Sequence, residues 1–108
     1  ARTKGADAAT KANLANIRAQ AEIIYDNDTD YDAVCGANSV TQNAGVSNAI
    51  TAAQTASGKT AVCGKPASGA ASAWAASIEL KGSGFWCVDS TGKSSTKSAN
   101  IGANDITC

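Results

Sequence analysis

The sequence predicts a single α+β domain in which a long N-terminal helix packs on a small antiparallel β-meander. Three observations support this fold class. Apolar residues recur at helical spacing in the first quarter of the chain, and they alternate at strand spacing from residue 72 onward. Four widely separated cysteines are typical of a small domain that is cross-linked by disulfides. A chain of 108 residues has room for one modest core, so we treat 1–108 as one domain.

Residues 1–25 are predicted to be helical. Alanine, the strongest helix former, is abundant here, and the pairs Asp7/Lys11 and Arg18/Glu22 place opposite charges four residues apart. One apolar stripe runs along this helix and consists of Leu14, Ile17, Ala21 and Ile24. Only small residues continue the stripe toward the N-terminus. The first two turns are therefore expected to bury little within this domain.

Residues 26–71 are predicted to form a loop region that contains a second, short helix. The start of the region is rich in aspartate, which favours turns over helix interiors, so the first helix should end there. The helical spacing of Val46 and Ile50 predicts the second helix at 40–57, and a Ser-Gly pair is a suitable end for it. A short strand is expected to follow at 60–63.

Residues 72–108 are predicted to form the β-meander and a C-terminal loop. The apolar residues Trp74, Ala76, Ile78 and Leu80 alternate with small or polar ones, which predicts a strand that is buried on one face only. A Gly-Ser-Gly hairpin leads to a return strand at 85–89, and an Asp-Ser-Thr-Gly turn leads to a polar edge strand at 93–99. The long helix is expected to lie across one face of this sheet.

The cysteines are expected to form two disulfides. They are Cys35, Cys63, Cys87 and Cys108. The chain has no histidine, which excludes mixed Cys/His zinc sites, and the wide spacing disfavours a four-thiolate site. Of the three possible pairings, we prefer Cys35 with Cys63 and Cys87 with Cys108, because the second bridge would restrain the C-terminus. Disulfides place the protein in an oxidising compartment.

Catalysis and nucleic-acid binding are both poorly supported. The absence of histidine excludes a Ser-His-Asp triad and a Cys-His pair, and the chain has no Gly-x-Ser-x-Gly motif and no phosphate-binding loop. We therefore expect a protein that is not an enzyme and needs no cofactor. Nine basic and nine acidic residues give a net charge of zero, so the chain lacks the basic excess of a typical nucleic-acid-binding protein.

Two groups of side chains are candidates for a binding site. Four aspartates alternate along one short segment, and they are Asp26, Asp28, Asp30 and Asp32. This spacing matches the opening of calcium-binding loops, but Tyr31 and Ala37 replace the glycine and glutamate that such loops use. A solvated turn is the preferred interpretation, and calcium binding is the alternative. Trp74, Phe85 and Trp86 could line a ligand groove, although a place in the core is preferred.

Three segments resemble the globular part of bacterial type IV pilins and of the related pseudopilins of type II secretion. The polar, alanine-rich helix Ala1–Asp26 looks like the exposed half of the long N-terminal helix in that family. The segments Trp74–Leu80 and Gly84–Gly92, with the run Trp-Cys-Val-Asp-Ser, are similar to the sheet hairpin of small pilin-like proteins. The span 87–108 resembles the disulfide-bounded C-terminal loop of many pilins.

The resemblance implies a structural role in an extracellular filament on the cell surface. Copies of the protein would be its partners, and an apolar helix half before Ala1 would provide its only contact with a membrane. The residues that would pack in the filament are Leu14, Ile17, Ala21 and Ile24. A pseudopilin in the periplasm and a free secreted binding module remain as alternatives. Some pseudopilins bind calcium near the C-terminal loop, where this chain offers only Asp89 and Asp105.

Overall fold

The computed structural model describes residues 2–35 and 44–108, and it has the predicted α+β architecture. Its elements are α1 (Arg2–Asp28), α2 (Ala44–Ser57), β1 (Val62–Gly64), β2 (Ala75–Glu79), β3 (Phe85–Asp89) and β4 (Ser94–Lys97). These strands form one antiparallel sheet in the order β1-β2-β3-β4. The long first helix, the shorter second helix and the meander confirm the fold class predicted from the sequence.

Helix α1 is longer than predicted and spans the length of the molecule. Its 27 residues correspond to about 40 Å, which is close to the longest dimension of the domain, 42 Å. The helix continues through Asp26 because the Thr29 N–H still donates to the Tyr25 carbonyl at 2.7 Å. Thr29 then adopts a left-handed conformation with φ of 60°, which ends the helix. The helix therefore ends at Asp28, in the middle of the aspartate-rich segment 26–32, and not at the first residue of that segment.

The main core lies between the two helices and one face of the sheet. Its largest fully buried apolar side chains are Leu14, Ile17, Val34, Val46, Trp74, Ile78 and Val88. Helix α2 ends as predicted, since Ser57 is followed by Gly58 at a φ of 75°. The expected first turn of α2, residues 40–43, lies outside the described residues.

Strand β2 is buried on both faces, so the prediction of a half-buried strand is wrong. Residues 75–78 are all buried. The C-terminal segment covers the face opposite the helices, where Ile101 packs in a second cluster with Cys87. The Ser77 hydroxyl fixes this segment, because it donates to Asn100 Oδ1 at 2.8 Å and accepts the Ile101 N–H at 3.0 Å.

Two disulfides join the pairs that we preferred from the sequence. Cys35–Cys63 connects the loop after α1 to β1, with a Cα–Cα distance of 5.5 Å. Cys87–Cys108 connects β3 to the end of the C-terminal segment, with a Cα–Cα distance of 5.8 Å. In the chain-entropy model, loops of these sizes give about 3–4 kcal/mol per bridge. Such stabilisation is large relative to what a core of this size provides alone.

Two isoleucines on α1 provide a matched test of its orientation. Ile17 is fully buried, so Ile17→Ala should lower the free energy of unfolding by about 2–5 kcal/mol. Ile23 is 54% exposed, so Ile23→Ala should change that free energy by less than about 0.5 kcal/mol. Chemical denaturation of the two variants measures the difference. Equal losses would contradict the inward orientation of Ile17.

Candidate functional site

The stripe that we expected to pack in a filament faces the core of the domain itself. Leu14, Ile17, Ala21 and Ile24 are between 0 and 3% exposed. They belong to the same buried cluster as Val46 and Trp74. Their assignment as filament-packing residues is therefore wrong, because side chains that fill the core of one subunit cannot also contact a second subunit.

A second apolar stripe lies on the opposite, exposed face of α1. Its members are Gly5, Ala8, Ala9, Ala12, Ala19 and Ile23, all of them exposed. They follow one another at helical spacing, and Asn16 is the polar residue that interrupts them. This outward stripe extends over about 27 Å. The sequence contains the signal for it, but alanines on a helix surface are usually attributed to helix propensity alone.

A shallow groove with side-chain amides runs beside the outward stripe, between α1 and α2. It has a volume of about 300 Å³, and its polar lining includes Asn13, Asn16, Gln20 and Asn48. Gly45 and alanines from both helices form the remaining wall. Amides donate and accept hydrogen bonds but do not titrate at neutral pH, so these four side chains offer polar contacts and no acid–base chemistry.

The four aspartates of the acidic segment are not brought together around one point. Asp26 and Asp28 are exposed in the last turn of α1. The Asp30 carboxylate accepts the Asp32 N–H at 3.0 Å, and the Asp32 carboxylate accepts the Ala71 N–H at 2.7 Å. In residues 2–35 and 44–108, no three His, Cys, Asp or Glu side chains are placed to hold a metal ion. The segment therefore serves as a turn that fixes the loop around Ala71.

Two tyrosines connect the acidic segment to α1. The Tyr31 hydroxyl donates to Glu22 Oε2 at 2.9 Å, and the ring centres of Tyr31 and Tyr25 lie 4.8 Å apart. Burial raises the pKa of Tyr31, and the hydrogen bond to Glu22 and the charge of Glu22 raise it further. Tyr25 is 43% exposed. The end of α1 thus presents an aromatic surface beside carboxylates.

The aromatic residues of the sheet do not form an open groove. Trp74 is 1% exposed and lies in the core, as preferred from the sequence. Trp86 packs against the same core and is partly covered by Lys11, whose Nζ lies 4.7 Å from the centre of the ring. Phe85 is half-buried. Trp74 and Trp86 therefore contribute mainly to packing between α1 and the sheet.

Asp89 is a buried carboxylate whose role the sequence analysis missed. It is 1% exposed, and its Oδ1 accepts the Thr91 N–H, the Thr91 hydroxyl and the Lys93 N–H at 2.9, 2.6 and 3.2 Å. Its Oδ2 accepts the N–H of Cys108 at 2.9 Å. Asp89 therefore holds both the β3–β4 turn and the end of the C-terminal segment. The turn motif indicated the first role, but no local signal indicates the second.

Burial alone would raise the pKa of Asp89, but the hydrogen bonds from Cys108, Thr91 and Lys93 outweigh it and lower the pKa. A lowered pKa in the folded state means that the carboxylate stabilises the fold above the unfolded pKa. That stabilisation is lost as the pH falls below about 4.

We expect Asp89→Asn to lower the free energy of unfolding at pH 7 by roughly 1.5–3 kcal/mol, the usual value for hydrogen bonds to a charged group. The acid-dependent part of the stability below about pH 4 should become smaller in this variant. Urea denaturation at several pH values measures both effects. The control is Asp105→Asn, since the exposed Asp105 carboxylate accepts only the Gly102 N–H among the described contacts. A wild-type acid dependence in Asp89→Asn would contradict this role.

Comparison of the chain with family models, with curated proteins and with solved structures found no match. Among the described residues, no helix combines the length and apolar character needed to cross a membrane. The outward stripe of α1 is the feature from which we infer a function below.

Proposed function

We propose that this protein is a structural subunit of an extracellular type IV pilus-like filament, and that copies of it assemble through the N-terminal helix. The outward stripe of α1 is the observation that carries this proposal. An amphipathic surface helix normally turns charged and polar residues toward solvent, whereas this face carries glycine, alanine and isoleucine over about 27 Å, interrupted by Asn16. Small side chains also let the axes of two packed helices approach closely.

The two faces of α1 have separate tasks in this proposal. The inward stripe, which consists of Leu14, Ile17, Ala21 and Ile24, fixes the helix to the rest of the domain, as its burial requires. The outward stripe contacts neighbouring copies. The rod shape supports this division, because α1 runs along the 42 Å length of the domain and offers its whole outer side to a partner.

The two disulfides and the neutral net charge support a location at the cell surface. Disulfides persist in oxidising compartments, and a neutral head can pack beside its copies without strong mutual repulsion. In this proposal, membrane contact is limited to an apolar helix half before Ala1, as the resemblance to pilins implies. The role is structural and requires no catalytic residue, no cofactor and no nucleic-acid partner.

A pseudopilin in the periplasm is the first alternative, because it would use the same helix in the same way. Long fibres outside the cell favour the pilin, and loss of protein export in a deletion strain favours the pseudopilin. A free secreted binding module is the second alternative. The burial of Trp74 and the cover of Lys11 over Trp86 leave it little aromatic surface for a ligand.

Two introduced charges test whether the outward stripe contacts neighbouring copies. The double variant Ala19→Glu and Ile23→Glu should abolish filaments in the cells that produce the protein, because each carboxylate would have to lose its water on assembly. Thr51→Glu with Thr55→Glu is the matched control, since both threonines are exposed on α2 at the same spacing. Electron microscopy of sheared surface fibres counts the filaments, and circular dichroism checks that both variants fold.

A wild-type number of filaments from the Ala19/Ile23 variant would contradict the proposal. The codons before Ala1 provide an independent test. An apolar helical segment that continues into α1 would support the filament subunit. An ordinary export leader immediately before Ala1 would support the free secreted module.

A further inference from the structure

The groove between α1 and α2, here called the amide groove, collects the asparagines that lie inside the two helices. They are Asn13 and Asn16 of α1 and Asn48 of α2, and Gln20 lines the groove with them. Asn27, the other asparagine of α1, lies in its last turn. Asparagine forms helix less readily than alanine, the commonest residue of both helices. Residues that oppose the local propensity are expected at functional positions.

The four amides of this groove do not hold the fold together. Within the part of the chain that the structure describes, no hydrogen bond of these side-chain amides to another group of the protein is found. Other amides do have such a role, since Gln54 Oε1 accepts the Ala61 N–H at 2.9 Å and Asn100 Oδ1 accepts the Ser77 hydroxyl at 2.8 Å. Each amide of the groove therefore offers a ligand one acceptor oxygen and two N–H donors.

The lining of the groove contains no charged side chain. Alanines and Gly45 form the wall beside the amides, and the volume of about 300 Å³ is at the small end of the range for small-molecule sites. A Cβ atom at Gly45 would collide with the Gln20 side chain, so the glycine leaves room for this amide beside α2. A ligand of this groove is therefore expected to be small and uncharged.

A sugar is the small, uncharged ligand whose chemistry matches the groove best. Each sugar hydroxyl both donates and accepts, so two neighbouring hydroxyls can pair with the oxygen and the N–H group of one carboxamide. The C–H groups of the ring can contact the alanine wall. A peptide also offers N–H and C=O groups, but the stretch from Asn13 to Gln20 is only about 10 Å long, which accommodates about three extended residues. A compact ring reaches more of the amides at once.

We propose that the amide groove binds a neutral sugar unit through the carboxamides of Asn13, Asn16, Gln20 and Asn48. This role goes beyond the proposed filament subunit, because it needs neither assembly nor a second copy. Asn16 and Ala19 line the groove and also lie along the outward stripe. In a filament, sugar is therefore bound by copies whose α1 is not covered by a neighbour.

Nuclear magnetic resonance of the isotope-labelled 108-residue chain tests this binding directly. The probes are D-glucose, D-galactose and N-acetyl-D-glucosamine. At least one of them, added to about 50 mM, should shift the side-chain NH₂ signals of the four groove amides in a saturable way. A Kd of about 1–10 mM is expected, because a sugar of roughly a dozen non-hydrogen atoms gains little more in an open groove.

The double variant Asn13→Ala and Asn48→Ala should weaken this binding at least about tenfold, because it removes hydrogen bonds from both sides of the groove. Alanine favours the helix, so the variant is expected to keep its fold, which circular dichroism checks. The matched control is Asn27→Ala with Asn104→Ala, since both of these exposed amides lie outside the groove. Its Kd should stay within about twofold of wild type.

Three results would overturn the sugar site. They are the absence of any shift of the groove amides with all three sugars, wild-type affinity in the Asn13/Asn48 variant, and a larger shift with triglycine than with the sugars at equal concentration, which would indicate a peptide site. None of these measurements involves filaments, and neither Asn13 nor Asn48 belongs to the outward stripe. Failure of the sugar site is therefore distinguishable from failure of the proposed function.

Discussion

The burial of one face of α1 is the constraint on which the rest of the structure depends. The domain has few large apolar side chains, and Leu14, Ile17 and Ile24 bring three of them into the core from a single helix. A nearly straight helix of this length can turn only one side toward such a small core. The side that carries Ala12, Ala19 and Ile23 is consequently left outside. The burial of the opposite face therefore decides which side of α1 faces solvent, and the sequence places small and apolar residues on that side.

The second constraint acts at the other end of the chain, where Cys108 is held twice. Its sulfur is bonded to Cys87, and its N–H is bonded to the buried carboxylate of Asp89. The two interactions fix the C-terminal segment over the second face of β2, where Ile101 completes a small cluster. Without this cover, the Ala75 face of the strand would be open to water. The sheet is therefore closed by helices on one side and by its own C-terminal segment on the other.

The sequence predicted the parts of the fold that depend on local patterns. The return strand at 85–89, the hairpin before it and the end of α2 at Ser57 agree with the structure. Periodicity reports that a face is buried, but it does not report what covers that face. Periodicity alone therefore does not distinguish a stripe that packs on its own sheet from one that packs on a neighbouring subunit, and the resemblance to pilins favours the second for Leu14, Ile17, Ala21 and Ile24. The alternation around Ala75 and Ser77 likewise predicts a strand with one exposed face, because small residues such as alanine and serine occur on both buried and exposed faces.

The candidate surfaces also separate into a predictable and an unpredictable part. The acidic run from Asp26 to Asp32 is visible in the sequence, but its two halves have different roles, since only Asp30 and Asp32 use their carboxylates to hold backbone N–H groups. The remaining carboxylates end up at one tip of a 42 Å molecule, and Lys4 lies at the start of the helix that spans it. A net charge of zero conceals this separation. The sequence shows the run of carboxylates, but only the fold shows which of them hold backbone N–H groups and which face solvent.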